Sequence, residues 1–112
     1  DIVRAITLVE EQGSKPFLRN WFDKKIDTGI MEDPEVSADR LCNFMFQQIA
    51  GLPENRMAVC VSHDWNIYPI KEFKMGMPHE ELGDIGYLDG LVFFEKQGVH
   101  FVMNYQSDPI QL

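Results

Sequence analysis

The residue best placed to do chemistry is His63, which ends the apolar run M-A-V-C-V-S-H-D from Met57 to Asp64. An almost unbroken apolar run is typical of a strand that is covered on both faces of a parallel sheet. A helix is predicted to follow, and the free amides and positive dipole end of a helix N-terminus favour a bound anion. In open α/β sheets, ligands lie beyond the carboxyl ends of the strands. The sequence therefore predicts an anion site, suited to a phosphate, at His63.

Each of these residues also has a purely structural interpretation. His63 could donate a hydrogen bond to a carbonyl at the strand end, and Asp64 could cap the helix that follows. His79 lies in the polar segment G-M-P-H-E-E-L, where we expect an exposed loop residue. His100 alternates with the apolar residues of a predicted strand, so we expect it to face solvent. The sequence thus singles out His63 among the three histidines.

Length and charge limit the function classes. A chain of 112 residues can form one compact domain, and we treat residues 1–112 as a single, partial domain. The formal net charge of -8 argues against nucleic acid or an anionic membrane surface as a partner. The apolar stretches are far shorter than the roughly 20 residues that span a bilayer, and no leader pattern opens the chain. A phosphorylated small molecule would need a local cluster of positive groups.

The cysteines and histidines do not form a cofactor motif. Cys42 and Cys60 lie within apolar patterns, so we expect small buried side chains in a reducing, cytoplasmic compartment. The three histidines are far apart, and neither cysteine has a partner at zinc-site spacing. The sequence also lacks a phosphate-binding P-loop, a dinucleotide fingerprint and a Gly-x-Ser-x-Gly elbow. We therefore expect neither a metal nor another cofactor.

Apolar periodicity predicts the helices of the first half of the chain. Apolar residues recur at helical intervals over residues 1–12, with Gly13 as the terminator, and over residues 34–51, which end in G-L-P. Residues 14–34 are irregular, and we interpret them as a long loop with one apolar anchor. The anchor consists of four residues that could form a short buried turn or helix: Phe17, Leu18, Trp21 and Phe22.

The second half predicts one more helix and a hairpin. The helix covers residues 64–75, and Pro69 is tolerated only if the helix begins at about Asp64 to Asn66. Two β-rich runs, Y-L-D-G-L-V-F-F-E and V-H-F-V-M-N-Y, are typical of a hairpin with Gly98 in its turn. The order of elements predicts an α/β layered domain whose sheet gains at least one strand from elsewhere. An unpaired sheet edge of this kind favours a homodimer or strand exchange.

One segment resembles a known family. V-S-H-D-W-N-I-Y-P-I-K-E-F-K-M-G resembles the second-histidine segment of the histidine phosphatase superfamily, which includes phosphoglycerate mutase-like enzymes and acid phosphatases. The run Y-L-D-G-L-V-F-F-E resembles the strand that follows in that family. D-I-V-R-A-I-T is similar to its Ser-Asp-x-x-Arg-Ala-x-x-Thr segment. The resemblance implies a phosphoglycerate mutase-like layered sheet with helices on both faces, incomplete here at the N-terminus.

The resemblance also implies roles for four residues. His63 would be the second catalytic histidine, which stabilises the charge of the transferring phosphoryl group. Arg4 would clamp the phosphate through its planar guanidinium. Asp64 would protonate the leaving group, as in the acid phosphatase branch, whereas Glu32 would be the acid of the mutase-like branch. Arg4 and Glu32 could instead be ordinary solvated surface residues.

The family's phosphoryl acceptor is absent. It lies in an Arg-His-Gly motif, and this tripeptide does not occur in the sequence. We therefore expect an inactive C-terminal part of an enzyme that hydrolyses a phosphomonoester or transfers a phosphoryl group through a phosphohistidine. The alternative is a non-catalytic α/β module that binds an anion or another protein.

Overall fold

Two helices begin and end where the sequence places their caps. In the computed structural model, which describes residues 1–112, α1 spans Ile2–Gln12 and α3 spans Pro34–Ala50. The carboxylates of Asp1 and Asp33 each accept hydrogen bonds from the amides of the second and third residues of their helix. α1 ends at Gly13, whose φ of 84° lies in the left-handed region. Both predicted helices are confirmed.

A further helix lies between them, at the apolar anchor. α2 spans Ser14–Phe22, so the anchor forms the helix and not the turn of the two possibilities, and the interpretation of residues 14–22 as loop is wrong. The anchor residues recur at steps of one and three, which places them along one side of a helix, and all four are buried. Burial of that side stabilises a helix that is too short to be stable in isolation.

The fourth helix, α4, spans Asp64–Lys74 and is the centre of the packing. It begins at Asp64, as the position of Pro69 required. Ile70 packs into an apolar cluster with α3, and Tyr68 packs into a second cluster with α2. The residues just after α4, Met75 and Met77, belong to the first cluster.

The predicted hairpin is confirmed. β1 (Val92–Lys96), β2 (Val99–Met103) and β3 (Ile110–Gln111) form a sheet in that order, and both pairings are antiparallel. The turn residues Gln97 and Gly98 have φ values of 53° and 77°, the pair of positive angles of a type I′ turn. Val102 joins the first apolar cluster, which attaches the sheet to α3 and α4. The chain is thus a compact α/β unit of four helices and a three-stranded antiparallel sheet.

The predicted buried strand at 57–62 is wrong. These residues form neither helix nor strand, and Met57, Val59 and Val61 are 83%, 78% and 96% exposed. No backbone group of residues 57–62 takes part in a hydrogen bond within the chain. The physical reason is that a strand needs a neighbour, and no other segment of the chain pairs its backbone with this one. The central parallel sheet is consequently not formed.

Two histidines also differ from expectation. His79 is buried at 7% exposure, with its ring edge-on to Tyr68 at a centroid distance of 4.7 Å. His100 does not simply face solvent, because its ring stacks on Phe46 at 3.9 Å. Both corrections have the same cause: the rings are flat and partly apolar, so they pack against aromatic neighbours that lie far away in the sequence.

The loop that carries His79 is held tightly. The carbonyl of Pro78 accepts hydrogen bonds from the amides of Glu81, Leu82 and Gly83, which folds the loop back on itself. Gly83 is buried, and a Cβ at this position would lie 2.3 Å from the Cα of His79. Only glycine therefore fits at position 83.

We predict that Gly83→Ala lowers the free energy of unfolding by roughly 1–3 kcal/mol, because the added methyl group meets backbone that cannot move aside. Urea denaturation monitored by tryptophan fluorescence measures the change. Gly86→Ala is the matched control, since a Cβ at Gly86 meets nothing within 4 Å. Equal stability of the two variants would contradict the packing described here.

An arginine joins this loop to two helices. Arg19 of α2 donates two hydrogen bonds of 2.6 Å to the Glu80 carboxylate and one of 2.8 Å to Glu72 of α4. The paired hydrogen bonds from Arg19 lower the pKa of Glu80 to about 2. A carboxylate whose pKa is lowered on folding stabilises the fold above its unfolded pKa and loses that effect as the pH falls.

We predict that the wild-type protein loses stability more steeply than Glu80→Gln between about pH 4.5 and pH 2, the interval between the ordinary and the folded pKa of Glu80. The Glu80 side chain is 48% exposed, so solvent screening limits the difference to less than about 1 kcal/mol. Urea titrations across this pH range measure it. Glu81→Gln, which removes a carboxylate without an ion pair, is the control and should follow the wild type.

Candidate functional site

His63 lies immediately before α4 at the helix cap position, with extended backbone angles of -100° and 152°. Its side chain is exposed and makes no hydrogen bond within the chain. The predicted bond to a strand-end carbonyl is therefore absent. The Asp64 amide also takes part in no hydrogen bond, so an imidazole and a free N–H meet at the positive end of the helix dipole. This arrangement can accept an anion.

Asp64 has a structural use in this arrangement. Its Oδ1 accepts a hydrogen bond of 2.8 Å from the Trp65 amide, and its Oδ2 accepts one of 3.1 Å from the Tyr68 hydroxyl. Burial, followed by the charge of Asp64, raises the pKa of Tyr68 to about 12, so the hydroxyl remains a proton donor at neutral pH. Both carboxylate oxygens thus hold the first turn of α4. A role as a general acid requires a proton on Asp64 and a rearrangement of these bonds.

His63 and Asp64 line a groove of about 890 Å³. Residues 59–64 form one wall and residues 85–91 form the other, while side chains of α3 and α4 lie between them. Most of the lining is apolar, and it contains no lysine or arginine. His63 is therefore the one side chain of the groove that can carry a positive charge. A tightly bound phosphate would need further cations from outside the groove.

The structure does not bring Arg4 to this groove. Arg4 is exposed on α1, which packs against α2, and it is not among the residues that line the groove. Nothing in its position tests whether it clamps a phosphate.

Glu32 is connected to the site through its backbone and not through its carboxylate. Its carbonyl accepts a hydrogen bond of 2.8 Å from the Trp21 indole, which stacks on Trp65 at a centroid distance of 6.3 Å. The carboxylate instead accepts bonds of 2.7 Å from Arg40 and from Ser37. The Arg40 hydrogen bond is the main cause of a lowered pKa at Glu32. A general acid would need the opposite shift.

Sequence reasoning missed Lys71. This residue is 0% exposed, and its ammonium group donates a hydrogen bond of 3.0 Å to the carbonyl of Asp84, at the start of the loop that forms the second groove wall. Burial lowers the pKa of Lys71. The sequence places Lys71 in the final turn of the predicted helix. Nothing in the sequence identifies the carbonyl that its ammonium group reaches.

Cys60 is the other difference from expectation, because it is exposed on the groove wall and not buried. Cys42 is buried, as predicted, and burial raises the pKa of its thiol to about 11. The two thiols therefore differ strongly in their access to solvent and to reagents.

No protein-family model, curated protein or solved structure matches this chain. No group of three or more His, Cys, Asp or Glu side chains is arranged to hold a metal ion. None of the four helices is long and apolar enough to cross a membrane. Function is therefore inferred from His63 and the groove.

We predict that a thiol reagent such as 5,5′-dithiobis(2-nitrobenzoic acid) labels one cysteine rapidly in the native protein and both after denaturation. Cys60→Ser should abolish the rapid phase, whereas Cys42→Ser should leave it unchanged, because only Cys60 is exposed. Absorbance of the released thiolate measures both phases. Two slow thiols in the native state would show that residues 57–62 are covered.

Proposed function

We propose that this chain is the second-histidine part of a histidine-phosphatase-like enzyme, which hydrolyses a phosphomonoester or transfers a phosphoryl group through a phosphohistidine. The observation that supports the proposal is His63, exposed and free of hydrogen bonds, beside a free helix amide in the groove of about 890 Å³. The resemblance of residues 57–105 to the family supplies the reaction. The substrate class is a phosphorylated small molecule.

In the proposed reaction, a histidine outside these residues attacks the phosphorus atom in line with the leaving oxygen. The P–O bond to the leaving group breaks, a phosphohistidine forms, and water or an acceptor hydroxyl then takes the phosphoryl group. His63 would donate a hydrogen bond to an equatorial oxygen, where negative charge is concentrated. The nucleophile must come from elsewhere because the sequence lacks Arg-His-Gly. The chain by itself is then a binding half-site without turnover.

The remaining roles follow the resemblance. Asp64 lies next to His63 and is the acid for the phosphatase version of the reaction, while Glu32 is the acid for the mutase version. Arg4 would supply one of the cations that the groove lacks. In the complete enzyme, residues 57–62 would pair as a parallel strand within a phosphoglycerate mutase-like sheet that has helices on both faces. That pairing would account for an apolar run that has no partner in this chain.

A non-catalytic module is the second candidate function. The apolar lining of the groove and the exposed valines beside it favour contact with another polypeptide over strong attraction of a dianion. If the chain is part of an enzyme, replacement of His63 lowers the rate of the reaction. If it is a non-catalytic module, replacement of His63 affects anion binding alone.

We predict that inorganic phosphate or vanadate shifts the NMR signals of the His63 ring and of the Asp64 amide in a saturable way, at millimolar concentration because the groove has no lysine or arginine. His63→Ala should remove the shift at Asp64, and His100→Ala should preserve it. Chloride at equal ionic strength is the control for non-specific effects. Equal shifts at His63 and His100 would count against a site.

The catalytic claim is tested in the complete protein that contains this chain together with an Arg-His-Gly segment. His63→Ala should lower kcat/KM for para-nitrophenyl phosphate by about a hundredfold or more, because it removes a donor aimed at the charge of the transition state. His100→Ala should retain the wild-type rate. Unchanged turnover in His63→Ala would reject the enzymatic proposal and leave the binding module.

A further inference from the structure

The segment from Arg56 to Asp64, here called the open segment, has a backbone without partners. The backbone of residues 57–62 makes no hydrogen bond, so both of its sides are available for pairing with another strand. Natural sheet edges are usually blocked by lysine, proline or a bulge. The central residues M-A-V-C-V-S contain none of these and carry no charge. Short uncharged segments rich in β-branched residues pair readily with another chain.

The molecule also exposes more surface than its mass predicts. A folded monomer of 13.0 kDa has an accessible area of about 6,300 Å² on average, whereas this chain has 7607 Å². The excess exceeds the roughly 800 Å² that each partner buries in a stable interface of standard size. Met57, Val59 and Val61 account for a concentrated part of the exposed apolar surface. A partner that covers the open segment would bring the molecule closer to an ordinary area.

The charges at the two ends of the open segment identify a second copy of the chain as the partner. Arg56 lies four residues before Cys60, and Asp64, the exposed first residue of α4, lies four residues after it. The two Asp64 oxygens that hold the first turn of α4 each keep a second lone pair, which a guanidinium can contact. If two copies run antiparallel with Cys60 facing Cys60, each Arg56 faces Asp64 of the other copy. A shift of one residue in either direction loses both ion pairs, because Arg56 would then face Trp65 or His63. Oppositely charged residues directly across a ladder stabilise it, so the charges select one register.

We propose that two copies of this chain pair through their open segments as an antiparallel ladder with its two-fold axis at Cys60. In this register Val59 faces Val61 of the second copy, and the reciprocal pair lies across the axis, as an isologous interface requires. The pairing satisfies the free backbone groups and covers four exposed valines, two from each copy. This dimer goes beyond the proposed function, in which residues 57–62 pair with a strand from another part of the complete enzyme.

Sedimentation velocity over a range of concentrations tests the dimer with the whole 112-residue chain. The wild type should form a dimer whose fraction rises with concentration. Val61→Lys should be monomeric at every concentration, since it sets a charge opposite an apolar residue. Val3→Lys is the matched control, because Val3 is equally an exposed valine but lies on α1. A monomeric wild type, or a dimer that Val61→Lys leaves unchanged, would overturn the proposal.

A charge exchange tests the register. Arg56→Asp and Asp64→Arg should each weaken the dimer at least several-fold, because each sets like charges opposite one another. The double variant Arg56→Asp/Asp64→Arg should recover much of the wild-type affinity, since both ion pairs form again with reversed sign. Failure of the double variant to recover, when circular dichroism shows that it is folded, would contradict the register.

Cysteine cross-linking tests the axis independently. Directly opposed residues in an antiparallel ladder have Cα atoms about 4.5–5.5 Å apart, within the range that a disulfide spans. In a Cys42→Ser background, diamide should accept two electrons and two protons from the paired Cys60 thiols and give a disulfide-linked dimer. With both cysteines replaced by serine, Val59→Cys should cross-link to Val61→Cys when the two variants are mixed, and more slowly to itself. Equal self-linking would contradict the two-fold axis at Cys60.

Failure of this proposal is distinguishable from failure of the proposed function. The Arg56→Asp variant leaves every residue of the groove unchanged, so its phosphate titration, at a concentration where sedimentation shows a monomer, reports on the anion site without a dimer. Loss of the dimer with retained phosphate shifts separates the two sites. Loss of both in Arg56→Asp, with the fold intact, would show that the anion site is formed only between copies.

Discussion

The burial of α4 between two apolar clusters is the constraint on which the rest of the structure depends. Ile70 faces the cluster built with α3 and the sheet, and Tyr68 faces the aromatic cluster built with α2. A helix that is packed on both sides cannot shift without opening one of them, because protein interiors are close-packed. Its first residue, Asp64, is tied to Tyr68 by a hydrogen bond. The position of His63 therefore follows from the packing of α4.

The same packing explains why the preceding segment is open. The clusters are complete without residues 57–62: the first is formed by α3, α4 and the hairpin, and the second is formed by helices and the loops beside them. A strand cannot be stabilised by its own side chains, because its backbone groups must pair with a neighbour. The apolar residues 57–62 thus have no pairing strand inside this chain. In the enzyme proposal the strand comes from another part of the protein, and in the dimer proposal it comes from a second copy of the chain.

Much of the local structure was predictable. The terminator Gly13 and the turn at Gly98 act through contacts within a few residues, so the sequence identifies them directly. The caps Asp1 and Asp33 are equally local, although only the helices that they begin were predicted. The anchor around Trp21 was recognised as apolar, with a turn and a helix both left open. Its helix is stabilised by α4, which lies more than forty residues away in the chain. The burial of His79 and Lys71 was likewise missed, since it depends on the path of the loop over residues 78–84.

Some features of the candidate site were likewise predictable from the sequence, and others were not. By itself the sequence determined where three of the four helices lie, where the hairpin turns and which histidine precedes α4, because these depend on local backbone chemistry and on the spacing of apolar residues. Tertiary structure alone decided that the run ending at His63 is exposed, that Arg4 lies away from the groove and that the Glu32 carboxylate is held by Arg40. The physical reason is that burial and ion pairing are set by residues distant in the chain. An apolar pattern indicates only that a segment tends to be buried, and it does not identify the segment that covers it.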